Sequence, residues 1–168
     1  MQIDNWLNSS LISRSSKLQI YRTLVRPVVT YGSELWTLTM DEERALAVYE
    51  RKILRKIYGP VKGNELWRIR LNDELEATIK GENIVRFIKC QRIRWLGHME
   101  RMLNTAIPKK MFYGKLYGTG RRGRPKMRWL DDVSTDLRKM GINELRDRAR
   151  DREAWRRIVK EAKAHPRL

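Results

Sequence analysis

Apolar residues recur along this chain at helical spacing, in stretches separated by glycine, proline and serine. Ser16 is placed to cap a helix carrying Leu18, Tyr21, Leu24 and Val25, which Pro27 ends or kinks. Thr39 followed by Glu42 reads as a capping box, so the next helix runs from about Met40 to Tyr58 and stops at Gly59-Pro60. Leu46, Tyr49, Ile53 and Ile57 share one side of it at about 100° per residue, with Arg51, Lys52, Arg55 and Lys56 on the other. A short helix follows at Asn72–Lys80, closed by Gly81. A longer one starts at Asn83 and reaches about Met102, with Ile84, Ile88, Trp95, Met99 and Met102 on its buried face. Arg86, Lys89, Arg94 and Arg101 point elsewhere.

Residues 104–128 interrupt the pattern with Pro108, Gly114, Gly118, Gly120, Gly123 and Pro125. They read as a loop with a short strand near Met111–Leu116. Trp129, Val133, Leu137 and Met140 make a further amphipathic set ended by Gly141, and Asp151 caps a final helix. On that helix Trp155, Ile158, Val159 and Ala162 lie together, opposite Arg156, Arg157, Lys160 and Lys163. The expected fold class is therefore mainly α. A weakly ordered segment at 1–15 leads into a helical lobe at 16–103, a basic loop at 104–128 and a second helical lobe at 129–168.

Charge changes this picture. Among 168 residues, 37 Lys and Arg face 20 Asp and Glu, a formal charge of +17. Such a surplus repels itself unless a polyanion offsets it, and nucleic acid answers that need before any small substrate. No apolar run exceeds the five residues Ala45–Tyr49, far short of the ~20 that span a bilayer. The first fifteen residues lack an apolar signal core, so a nuclear or cytoplasmic protein is expected, neither secreted nor membrane-bound. One cysteine, Cys90, fits a reducing compartment.

The densest charge is Lys109, Lys110, Lys115, Arg121, Arg122, Arg124, Lys126 and Arg128, with no acidic residue among them. They require an outside anion, and Gly118, Gly120 and Gly123 leave the backbone free to follow a phosphate chain. Arg122-Gly123-Arg124-Pro125 also resembles the core of an AT-hook, in which a side-chain-free glycine lets both arginines reach a minor-groove floor. Six tryptophans stand out. Trp95, Trp129 and Trp155 fall on apolar stripes and read as core, whereas Trp67, in an irregular segment beside Arg68 and Arg70, is the best candidate to stack on a base. Asp131-Asp132 invites comparison with a polymerase metal pair, but its neighbours have helical spacing, which puts both aspartates in a first helical turn. Cys90 and His98 stand eight residues apart on one helix, about 12 Å, too far for one metal ion. Cys90 reads as a small helix residue and His98 as edging the core.

The run LQIYRTLVRPVVTYGSELW at Leu18–Trp36 is followed in order by YERKILRKIYGP at Tyr49–Pro60, QRIRWLGH at Gln91–His98, Gly123-Arg124-Pro125 leading into Trp129-Leu130-Asp131-Asp132, and Asp151-Arg152 with Trp155-Arg156. This series resembles the thumb and C-terminal region of a non-LTR retrotransposon (LINE-type) endonuclease–reverse transcriptase, from about Ile12 onward. Residues 1–11 match only loosely, as in a fragment of a decayed element with its own start Met or a gene truncated at its front. In that family the endonuclease, fingers and palm precede this region, so the resemblance places no catalytic aspartate on this chain. No cofactor is expected here, and Mg²⁺ is implied only for the full-length enzyme. The likeness implies that Arg51, Lys52, Arg55, Lys56 and the 109–128 loop contact backbone phosphates of RNA or DNA, with the missing palm and fingers as a further partner.

Three other readings compete with a fragment that binds without turnover. They are a freestanding architectural DNA binder working through Arg122–Pro125, an enzyme with Asp131 and Asp132 as metal ligands, and a protein-binding scaffold. Reversing Arg121, Arg122, Arg124 and Lys126 to Glu is expected to weaken RNA and DNA binding together by at least about tenfold. A filter-binding titration showing unchanged affinity would remove the loop from the interface.

Overall fold

A computed structural model describes residues 3–63, 66–79, 83–114, 128–165 and 168. Among them the chain is mainly α, as its periodicity predicts, with one two-stranded sheet. It divides into two compact units, Met1–Tyr31 with Thr39–Val85 and Gly32–Leu38 with Arg86–Leu168.

The first unit opens with α1 (Ile3–Asn8) and α2 (Arg14–Ile20). The cap of α2 is Ser13 rather than Ser16: the Ser13 hydroxyl accepts from the Ser16 N–H at 3.1 Å, leaving Ser16 inside the first turn. Tyr21–Val25 then wind as a π-turn, in which the Arg26 N–H reaches back to the Tyr21 carbonyl, before α3 (Arg26–Val29) resumes. Pro27 has no N–H to give and its ring would crowd the carbonyl of Thr23, so a wider turn just before it lets the helix continue. The extra residue also rotates the apolar stripe. Val25 is buried, while Leu24, expected beside it, is 62% exposed.

The capping box forms as expected at the start of α4 (Met40–Tyr58): the Thr39 hydroxyl accepts from the Glu42 N–H and the Glu42 carboxylate accepts from the Thr39 N–H. Gly59, at a φ of 70°, ends it. A hairpin of β1 (Val61–Gly63) and β2 (Leu66–Arg68) pairs Lys62 with Trp67, so Trp67 stands on a strand and not in an irregular segment. After it comes α5 (Asn72–Ile79). Leu7, Tyr21, Val25, Ile53, Leu54, Ile57 and Leu75 form the core of this unit.

The second unit is built on α6 (Ile84–Arg101) from Arg86 onward, α7 (Ile107–Tyr113), α8 (Trp129–Lys139), α9 (Leu145–Arg150) and α10 (Arg152–Ala164). Met111–Tyr113, expected as a strand, are the last turn of α7. Pro108 sits in that helix's first turn, where its missing N–H costs nothing, so the residue read as a breaker is a starter. Gly141, at a φ of 77°, ends α8, with the Ile142 N–H returning to the Leu137 carbonyl at 3.0 Å. Asp151 caps α10 through the N–H groups of Glu153 and Ala154. Cys90, Ile93 and Leu96 pack with Val133, Leu137, Trp155, Ile158 and Ala162 in the core.

Glu50 lies within the core side of α4, 5% exposed, where it accepts from the Tyr21 hydroxyl and the Ile84 N–H, both at 2.8 Å. Burial raises its carboxyl above the ordinary range, against those two hydrogen bonds and the nearby Arg26 and Arg22. Between the ordinary value of about 4.3 and the raised one, the folded protein binds more protons than the unfolded chain, so stability falls as pH rises through that interval. Glu50→Gln is expected to flatten this part of the urea-midpoint profile without lowering the midpoint at pH 7. Glu50→Ala, which strands the Tyr21 hydroxyl and the Ile84 N–H, is expected to cost about 1–3 kcal/mol.

Candidate nucleic-acid interface

The residues singled out from the sequence fall in different settings. On α4, Lys52 and Lys56 are exposed and Arg51 is half-buried. Arg55 serves the protein itself: its Nε donates to the Arg70 carbonyl at 3.2 Å and its terminal nitrogen to Asn72 Oδ1 at 2.8 Å. Trp67 is 69% exposed. In the second unit the Lys109 ammonium caps the end of α6, donating to the carbonyls of Glu100 at 2.7 Å and Met102 at 3.0 Å. Lys110 and Arg128 are exposed. Lys115, Arg121, Arg122, Arg124 and Lys126, and with them the AT-hook-like tetrapeptide, lie outside the described residues.

Lys89, expected to point away from the buried face of α6, is instead buried, as is Arg92. Lys89 is 4% and Arg92 1% exposed, and they face Asp132 and Asp136 of α8. Arg92 meets Asp132 Oδ2 at 2.5 Å and Asp136 Oδ2 at 3.8 Å, while Lys89 stands 3.6 Å from Asp136 Oδ1. Asp131 and Asp132 occupy the first turn of α8, as expected, and Asp132 is committed to this ion pair. Its Oδ2 also accepts from the Leu38 N–H at 3.4 Å, and the Trp129 indole donates to the Glu34 carbonyl at 2.8 Å. These bonds fasten residues 32–38 to the start of α8. Cys90 packs in the core as a small helix residue, whereas His98 is exposed and does not edge the core.

Sequence reasoning missed the feature that His98 belongs to. A cleft of about 770 Å³ lies in the second unit between faces of α6 and α10. From α6 come Arg94, Trp95, His98 and Arg101, and from α10 Arg152, Trp155 and Arg156, with Glu34 the one carboxylate lining it among the described residues. Trp155 is its floor. The indole N–H donates to the Ile93 carbonyl at 3.0 Å, and the ring lies so close to α6 that a Cβ on Gly97 would come within 2.1 Å of Nε1. Only glycine admits that approach. Trp95, expected as core, is half-buried, with its ring centroid 5.2 Å from that of His98 at a tilt of 42°.

Arg101 donates to the Ala149 carbonyl at 2.8 Å, and burial together with the neighbouring Arg152 guanidinium pushes its pKa below the ordinary range. Arg156 pairs with Glu153 at 2.8 Å on the exposed side of α10. The available signal was the recurrence of Arg next to Trp, Arg94-Trp95 and Trp155-Arg156, with His98 and Arg152 one turn away on the same faces. Assigning Trp95 to the core and its arginine neighbours to solvent hid it.

The chain is similar to a transposon-derived protein. That protein, from Caenorhabditis elegans, is 20% identical to it over 157 residues, which cover 90% of this chain and 56% of the relative. The chain thus spans little more than half the relative's length. No family model matches the sequence, and no solved structure matches the fold. The likeness is consistent with a transposon-related origin. Among the described residues no helix is long and apolar enough to cross a membrane, and no three His, Cys, Asp or Glu side chains gather as metal ligands would.

If Asp132 is a structural counter-ion, Asp132→Ala should lower unfolding stability by roughly 3–5 kcal/mol, because Arg92 then stays buried without its closest carboxylate. Asp131→Ala, at an exposed position, should change stability by less than about 0.5 kcal/mol. Urea unfolding of the two variants checks this. Equal, small effects would mean that Arg92 does not depend on Asp132.

Proposed function

We propose that this chain is a nucleic-acid-binding portion of a retrotransposon protein, akin to the post-palm region of an RNA-directed DNA polymerase, and that it holds backbone phosphates. The observation that carries this reading is the convergence of Arg94, Arg101, Arg152 and Arg156 on one cleft where, among the described residues, Glu34 is the one lining carboxylate and Glu153 pairs with Arg156 alone. Four guanidinium groups brought together repel one another, and a phosphate-bearing ligand is the partner that converts that cost into binding. The net charge of +17 and the lysines and arginines of α4 extend the same attraction over the rest of the molecule. The transposon-derived relative supports a transposon-related context. In this reading the polymerase aspartates belong to the parent family's palm, and the present chain contributes grip without turnover.

Binding of this kind proceeds by counterion release, so its affinity falls linearly with the logarithm of salt concentration. The double variant Arg94→Ala/Arg152→Ala is expected to weaken binding to a 24-nucleotide RNA and to reduce the slope of that line by about two. Fluorescence anisotropy between 50 and 200 mM salt measures both. A salt-independent affinity, or an unchanged slope in the double variant, would overturn the assignment.

A further inference from the structure

We infer that the cleft between α6 and α10 takes an unpaired nucleotide strand, with a base stacked on Trp95 and neighbouring phosphates held by Arg94, Arg101, Arg152 and Arg156. This ligand class rests on the phosphate-binding reading above and narrows it at the same site.

The two tryptophans of the cleft differ in what they are free to do. Trp155 is 2% exposed, hydrogen-bonded to the Ile93 carbonyl and packed on Gly97, which makes it floor. Trp95 is half-buried on the wall, and among the described residues its indole N–H has no hydrogen-bond partner. A large aromatic lining a cleft together with arginines offers a stacking surface beside positive charge, the combination that a base with its flanking phosphates requires. His98, tilted beside Trp95, extends the aromatic surface. Among the described residues, Arg94 and Arg152 carry no ion pair, so both are available to an incoming anion.

Shape separates a single strand from a duplex. Proteins that read a duplex push a protruding helix or ribbon into its groove. Here the cationic and aromatic groups line a hollow of about 770 Å³, within the roughly 300–1,000 Å³ of sites that enclose a small molecule or nucleotide-sized group. A paired base would have to leave its stack to reach Trp95, at a cost that an unpaired strand does not meet.

Two fluorescein-labelled strands of equal length and charge test this on the full chain: a twelve-residue oligothymidylate and its abasic analogue. The intact protein is expected to bind the thymidylate at least about tenfold more tightly, the loss expected for one stacked base. In Trp95→Ala the two strands should bind within twofold of each other. Trp95→Phe, which keeps a ring and the packing, should retain most of the difference. Equal binding of the two strands by the intact protein overturns the inference, as does a difference that survives Trp95→Ala. If both strands bind equally yet weaken with salt and in Arg94→Ala/Arg152→Ala, base stacking falls while phosphate binding stands. If neither strand binds, both fall.

Discussion

Arg92 is 1% exposed, and a guanidinium held that far from water must have carboxylates beside it. Asp132 and Asp136, one helical turn apart on α8, supply them, and Lys89, one turn before Arg92 on α6, shares Asp136. Even so, the Arg92 Nε and one terminal nitrogen make no hydrogen bond. An apolar contact of the same size would hold two helices together at less cost, but it would tolerate sliding. Two charges on each helix, spaced by a turn, fix which residue meets which. The ion cluster thus pairs particular residues of α6 and α8 beside the apolar contacts of Cys90, Ile93 and Leu96 with Val133 and Leu137.

The same end of α8 also bears on the cleft. Asp132 also accepts from Leu38, and Trp129, at the start of the same helix, donates to the carbonyl of Glu34. The segment 32–38 is thereby tied to α8, and Glu34 reaches the cleft that α6 and α10 line. On the other side, Gly97 lets Trp155 lie flush against α6, so the two helices present their arginines to one space. Buried charge and close packing together gather exposed charge, and the stability of the unit and its chemistry draw on the same few residues.

Several motifs that carry the sequence resemblance have structural work within this arrangement. Trp129 and Asp132 fasten a neighbouring segment, and Gly97 and Trp155 pack on one another. Arg94, Trp95 and His98, from the same run as Gly97, line the cleft. Chemistry and scaffold thus alternate along one helix. In the first unit Arg55 shows the reverse of the expectation: placed on a basic stripe, it ties α4 to Arg70 and Asn72.

The sequence by itself determined the mainly α class, the span of α4 from its capping box to Gly59, the cap of α10 at Asp151 and the end of α8 at Gly141, because each depends on residues within a turn or two of one another. It also determined the excess of positive charge, which needs no fold. Tertiary structure alone decided that Lys89 lies inside, that Arg92 meets Asp132 and Asp136, and that Leu24 faces outward after the π-turn before Pro27. It alone decided that Pro108 begins a helix where a loop was expected. The cleft belongs to this second group. Its arginines run from Arg94 on α6 to Arg156 on α10, and helical periodicity assigns each only a direction about its own axis. Which directions meet is settled by long-range pairing of buried charges and by how closely a glycine lets an indole approach.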